Sequence, residues 1–284
     1  MQAPLLKRFG LPDGPFWTEV NSLPAIYRRQ GVHRVNEDTV YLNSILDHVR
    51  SGRMPGLSNA LLRELGQSIA FHPGVQEFLA ASTELVAQDP LCKKHGIVLE
   101  HCVVSAGLRE MILGSAIAPL LHEIYGCEFT QRETPQGPEI DRVAYVIDNT
   151  TKTRAIFEIN KGTNIDPKVG VNDAIDPELR RVPFEQMIYV ADGPSDVPVF
   201  SLLQKNGGHT CAVYESGSKT AFEQANGLWE QKRVDMVGPA DYRAGTQTRL
   251  WLEQTITRIA KNIDKAQQRV LAAAVHKTHR HRED

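Results

Sequence analysis

Apolar residues recur at three- and four-residue spacings through the first seventy positions. FWTEVNSLPAIYRRQ and DTVYLNSILDHVRSG both carry this spacing, which predicts two amphipathic helices. Asp38 is placed to cap the second and Gly52 to end it. LSNALLRELGQSI follows, with Ser58 as its cap and Gly66 near its end. The pattern changes at Phe71. Pro73 suits the first turn of a helix over HPGVQEFLAAS. GIVLEHCVVSAG, residues 96–107, is an apolar run ending in small residues, as a buried parallel strand feeding a loop would be. LREMILGSAIAPLLHEIYG reads as the helix after it, stopped by Gly126, and CEFT as a short strand. RVAYVID and TRAIFEIN flank Asn149 to Lys152 as the arms of a hairpin. FEQMIYVADGPSD is again strand then loop, VPVFSLLQKNGG a helix ended by Gly207 and Gly208, and HTCAVY a further strand. In the last long segment Leu252, Ile256, Ile259 and Ile263 share one helical face.

Strand–helix alternation after residue 70 predicts a doubly wound, Rossmann-like α/β core with a parallel sheet. The expected organisation is a helical region over 1–70, the α/β core over 71–245, and a carboxyl-terminal amphipathic helix and tail over 246–284. The 284 residues suffice for a sizeable core without staples. A net charge of −2 gives no electrostatic footprint for nucleic acid or an anionic membrane. Cys92, Cys102, Cys127 and Cys211 form no CxxC pair and no metal-ligand spacing with histidine, and read as small buried hydrophobes of a reducing compartment. No apolar run reaches the ~18 residues of a membrane span. MQAPLLKRFG is short and polar for a signal peptide, so a cytoplasmic protein is expected.

Three features carry candidate chemistry, each read at the end of a strand: Ser105 in VVSAG, Lys161 in FEINKG, and Asp192 with Asp196 in ADGPSD. Open α/β sheets bind ligands outside the carboxyl ends of their strands, so the three segments could converge on one crevice. The hydroxyl of Ser105 and backbone N–H groups of Ala106 and Gly107 can hold phosphate oxygens. Lys161 can offset anionic charge. Asp192 is a hard oxygen ligand suited to Mg²⁺, Gly193 allows a tight turn, and Asp196 can support a metal-bound water or the lysine. Read singly, the first is a turn, the second a solvated lysine, and the third a turn with a helix cap.

Taken in order, the three resemble motifs two, three and four of the haloacid dehalogenase superfamily of phosphohydrolases. The helical segment before them is similar to the cap of its phosphoserine phosphatase-like branch. The resemblance implies Ser105, Ala106, Gly107 and Lys161 as phosphate ligands and Asp192 as the Mg²⁺ ligand. It also implies catalytic support from Lys161 and Asp196, and substrate contacts on the cap, for which Glu19, Arg28, Arg29 and Arg53 are the candidates. As plain helix charges these four would face solvent. The partner implied is a small phosphorylated metabolite. The superfamily's first motif, a strand followed by DxDx(T/V) that carries the nucleophile, is not found: Asp13 in LPDGP has no apolar strand before it and no second aspartate two positions on. The missing strand is central in the sheet, so its two neighbours are expected to lack pairing on one side, and the chain to fold poorly by itself. The nucleophile is then expected on an upstream segment. The alternative is a non-catalytic member that binds a phospho-ligand or a protein partner. Dehalogenase chemistry is the weaker fit, because the acidic motif is of the metal-binding kind. The remaining candidates read as structural: Trp17 and Tyr27 as cap packing, His72 as a helix-entry residue, His101 as a strand residue, and HKTHRHRED as a solvated terminus.

Overall fold

A computed structural model describes residues 2–166 and 168–279, with side chains described as far as Ala272. Six helices come first: α1 (Gln2–Arg8), α2 (Asp13–Arg29), α3 (Glu37–Arg50), α4 (Asn59–Gly66), α5 (Val75–Gln88) and α6 (Pro90–His95). Strand β1 (Cys102–Leu108), helix α7 (Arg109–Leu113), strands β2 (Glu123–Thr134) and β3 (Gly137–Tyr145) and helix α8 (Thr151–Lys161) follow. Then come β4 (Ile188–Ala191), α9 (Val197–Lys205), β5 (His209–Tyr214), α10 (Lys219–Glu230), β6 (Met236–Pro239) and α11 (Gln247–His279). The chain is mixed α/β and divides into two compact units, Met1–Phe71 with His101–Asp173, and His72–Glu100 with Ala174–Asp284.

In the first unit the sheet order is β1-β2-β3, with β1 parallel and β3 antiparallel to β2. Caps fix the helices around it. Asn36, not Asp38, starts α3: its side chain accepts from the Thr39 N–H at 2.8 Å. The Asn36 Nδ2 also donates to Asp148 Oδ2 at 2.9 Å, tying the start of α3 to the start of α8. Ser58 caps α4 as expected, its hydroxyl accepting from Leu61 N–H. Helices α4 and α7 meet through two glycines, where a Cβ on Gly66 would lie 2.0 Å from the Met111 carbonyl oxygen and one on Gly114 1.7 Å from that of Arg63. Only glycine allows that approach.

Two further expectations fail in this unit. TRAIFEIN is not a hairpin arm but most of α8, and the hairpin is β2–β3 instead. Asp148 drives the change: its Oδ1 accepts from the N–H groups of Thr150 and Thr151, which starts a helix that Gly162 ends at φ +82°. The helix expected over 108–126 is also cut short. α7 has five residues, and β-branched and aromatic side chains carry Glu123–Thr134 as strand β2, with CEFT inside it. Gly126 is no helix stop: a Cβ there would lie 2.8 Å from the Arg109 amide nitrogen.

The second unit has an all-parallel sheet of order β4-β5-β6. β5 is central, and its alternation serves two faces. Ala212 packs with Phe200, Ala225 and Leu228, while Cys211 and Val213 pack with Met236 and Ala240. Ile256 and Ala260 of α11 pack with Val86 and Cys92 from α5 and α6. Pro73 lies two residues before α5 rather than in its first turn, and the cap position is Gly74. Gly74 is positive-φ and abuts the backbone of Tyr242 and Arg243. The histidine-containing tail of residues 276–284 lies outside the residues whose side chains are described.

The two motif-bearing strands share one property. Among the described residues β1 pairs with β2 alone and β4 with β5 alone, so each is the edge of its own sheet. Both are parallel and largely apolar, yet every residue of Ile188–Ala191 and of Cys102–Ala106 is only half-buried. All four cysteines carry free thiols. Among the described residues, no helix is long and apolar enough to cross a membrane.

Candidate functional site

Ser105 and Lys161 belong to the first unit, Asp192 and Asp196 to the second. Ser105 lies within β1, at an irregularity where the β1–β2 register shifts between Val104 and Leu108. Its Oγ accepts from the Gly107 N–H at 3.0 Å, so one of the two expected loop donors is already engaged. Behind the loop, the buried Cys127 Sγ lies 3.3 Å from the Ala106 carbonyl oxygen, and burial pushes its thiol pKa up.

Lys161 is the last residue of α8 and so ends a helix, not a strand. Its Nζ donates to the carbonyl oxygens of Val171 and Asp173, both at 2.6 Å, and pins the loop after the helix. Around Asp148, burial pushes the carboxyl pKa up, but hydrogen bonds from Thr151, Thr150 and Asn36 outweigh it and leave a net lowering. The neighbouring Asp38 carboxyl is raised, by burial first and then by the charge of Asp148.

The acidic motif is the more organised element. Asp192 is exposed in the turn after β4, and its carbonyl accepts from Gln224 Nε2 at 3.3 Å. Gly193 is extended at φ −143°, and a Cβ there would have no heavy atom closer than 3.8 Å, so the turn does not require glycine. Asp196 is 3% exposed at the cap position of α9, yet its side chain makes no cap hydrogen bond. Instead Oδ1 accepts from the Tyr189 hydroxyl at 2.5 Å and Oδ2 from the Ser195 hydroxyl at 2.9 Å. Burial raises the Tyr189 phenol's pKa, and the Asp196 charge adds to it. Among the described residues no three or more His, Cys, Asp or Glu gather to hold a metal ion. Asp192 and Asp196, four residues apart, are hard oxygen donors of the kind Mg²⁺ takes, since that ion keeps several waters and needs only one or two carboxylates beside a substrate phosphate.

On α2 and the turn after α3, Glu19 and Arg53 do meet. The guanidinium donates to both carboxylate oxygens at 3.1 Å, and Arg53 holds the Glu19 carboxyl below the usual range. The buried His48 stands behind them, Nδ1 2.8 Å from the Ser44 carbonyl oxygen and Nε2 3.9 Å from Glu19. Arg28 and Arg29 are exposed in the last turn of α2. Trp17 stacks on Tyr41 with ring centroids 5.4 Å apart, as a packing residue. A surface depression lined by Pro55, Gly56, Arg132, Glu139 and the β2–β3 turn contains none of the motif residues. Sequence reasoning missed Tyr189, Ser195, His48 and Asp148. Only Asp148 carried a local signal, as an aspartate three residues before Thr151 at a helix start.

No protein-family model matches the sequence. It is 31% identical over 270 residues to an uncharacterized protein of Borreliella burgdorferi, a match that spans 90% of this chain and 91% of that one. The chain belongs to the family of that protein. Membership at this coverage spans nine-tenths of the chain, both units included, and carries no activity with it.

Proposed function

We propose that the protein is a haloacid dehalogenase-like, Mg²⁺-dependent phosphomonoester hydrolase for a small phosphorylated metabolite. The attacking aspartate would lie on a segment outside residues 1–284. The observation that carries the reading is the acidic turn. Asp192 presents an exposed carboxylate at the carboxyl end of a strand in an all-parallel sheet, four residues before a buried Asp196 that does not cap its helix. Bound there, the metal would offset phosphate charge and orient the phosphoryl group. Asp192 would hold it and Asp196 would support its water. Ser105 would bind phosphate by turning its hydroxyl from Gly107. Lys161 would serve by holding the loop through Val171 and Asp173.

The second reading is a non-catalytic phospho-ligand or partner-binding protein. The observation favouring it is that the Gly107 N–H and the Lys161 ammonium already bond protein groups. One assay separates the two. The 284-residue chain and a form extended by its upstream in-frame codons are given p-nitrophenyl phosphate with Mg²⁺. The extended form is expected to turn over and to lose activity in Asp192→Asn. Failure of both forms sinks the hydrolase reading.

A further inference from the structure

An aspartate at the first position of a helix ordinarily bonds the N–H groups of the next turn. Asp196 stands at that position of α9, but its carboxylate is turned away from the helix and lies between two hydroxyls. The side chain is almost fully buried, so its rotamer is set by protein partners, these hydroxyls among them, and not by solvent. Of the two, Ser195 is its chain neighbour in the same turn and moves with it. Tyr189 is different. It sits on β4, its ring packs edge-on against Phe200 at 5.6 Å, and it touches the apolar cluster around Ala212 and Leu228. A rigid phenol on a strand thus reaches across the turn to the carboxylate at 2.5 Å. The same turn exposes Asp192, three residues after Tyr189.

We propose that Tyr189 is the positioning residue of the acidic turn: its hydroxyl fixes the Asp196 carboxylate in the orientation that supports the water of a divalent cation held by Asp192. This rests on the metal-dependent reading above. Partners that orient a ligating or water-holding carboxylate typically change metal affinity by about 10- to 100-fold when removed. Tyr189→Phe keeps the ring and its packing on Phe200 and deletes only the oxygen.

The test is Mn²⁺ binding, read from the electron paramagnetic resonance signal of the free ion. It is measured on the full 284-residue chain with a thermal melt of every variant. Wild type is expected to bind and Asp192→Asn to abolish binding. Tyr189→Phe should weaken binding about tenfold with its melt unchanged. Asp196→Asn should weaken it similarly, and the double variant no further than Asp196→Asn alone. A purely structural tyrosine would lower the melt and leave the affinity of the folded protein as it was. Wild-type affinity in Tyr189→Phe, or effects of the two substitutions that multiply, overturns the assignment while the metal site stands. If wild type does not bind Mn²⁺, or Asp192→Asn binds equally, the metal reading fails and this inference with it. Ser195→Ala provides a check that does not depend on Tyr189→Phe folding. It should keep affinity within about threefold, and a loss of tenfold or more would give the positioning role to Ser195 instead.

Discussion

Asp148 joins two helices of the first unit through one carboxylate. Its Oδ1 gathers the start of α8 and its Oδ2 takes the amide of Asn36, which itself caps α3. The net effect on its titration is a lowering, because four hydrogen-bond contributions from Thr151, Thr150 and Asn36 outweigh burial. A carboxyl whose folded pKa lies below its unfolded value contributes stability that is complete above the unfolded value, here 3.8. That contribution is lost as pH falls through the lower folded value. Asp148→Ala is therefore expected to cost about 1–2 kcal/mol at pH 7. The gap to wild type should narrow below the ordinary carboxylate range, while Asp148→Asn, which keeps an acceptor without the charge, should show a weaker pH dependence. Urea midpoints of the three proteins at pH 7 and pH 3 decide this, and a gap that does not change with pH would show that the cap is not charge-assisted.

Elements were legible where the local pattern and the tertiary setting agreed. HTCAVY lies between Gly208 and a polar loop and is β5 to the residue. The helix after ADGPSD and the long terminal helix also form as their apolar spacing predicts. TRAIFEIN misled because Ile156, Phe157 and Ile159 are strand formers by propensity, whereas the helix is decided by Asp148 before it and by the Arg154–Glu158 pair at 2.8 Å along it. Lys161 therefore ends a helix and not a strand, and its partners are carbonyls of its own loop. The α4–α7 contact was invisible for another reason: glycine in a helix reads as a stop, and only the partner backbone shows that Gly66 and Gly114 are there for closeness. Gly114→Ala would push a Cβ to 1.7 Å from the Arg63 carbonyl oxygen. It is expected to destabilise by about 3 kcal/mol or more, at the upper end of overpacking. Gly227→Ala, inside α10 with nothing within 4 Å, should instead be neutral or stabilise by about 0.5–1 kcal/mol. Chemical denaturation of both variants tests the pair, and equal behaviour would refute the close-approach account.

At the scale of the whole molecule, stability should be least where pairing is one-sided. Strand β5 has a parallel partner on both sides, whereas among the described residues β1 and β4 pair with one strand each. Opening an edge strand disrupts one ladder, and opening a central strand disrupts two and exposes Cys211, Ala212 and Val213, all at most 4% exposed. Amide exchange in the 284-residue chain should therefore be slowest over 210–213. It should be faster by roughly two orders of magnitude over 102–105 and 188–191. Equal protection of β4 and β5 would mean that the β4 edge is covered by something other than a strand. The comparison gains force with the extended form used in the activity assay. A strand added beside β1 supplies acceptors to its outward N–H groups and buries Val103 and Val104, and the same holds for Tyr189 and Val190 on β4. Under the hydrolase reading both segments should then slow towards the rate of β5, and the melting temperature should rise with them. Under the non-catalytic reading the extension leaves both edges exchanging as before, and the turn at Asp192 gains no neighbour that could attack phosphorus.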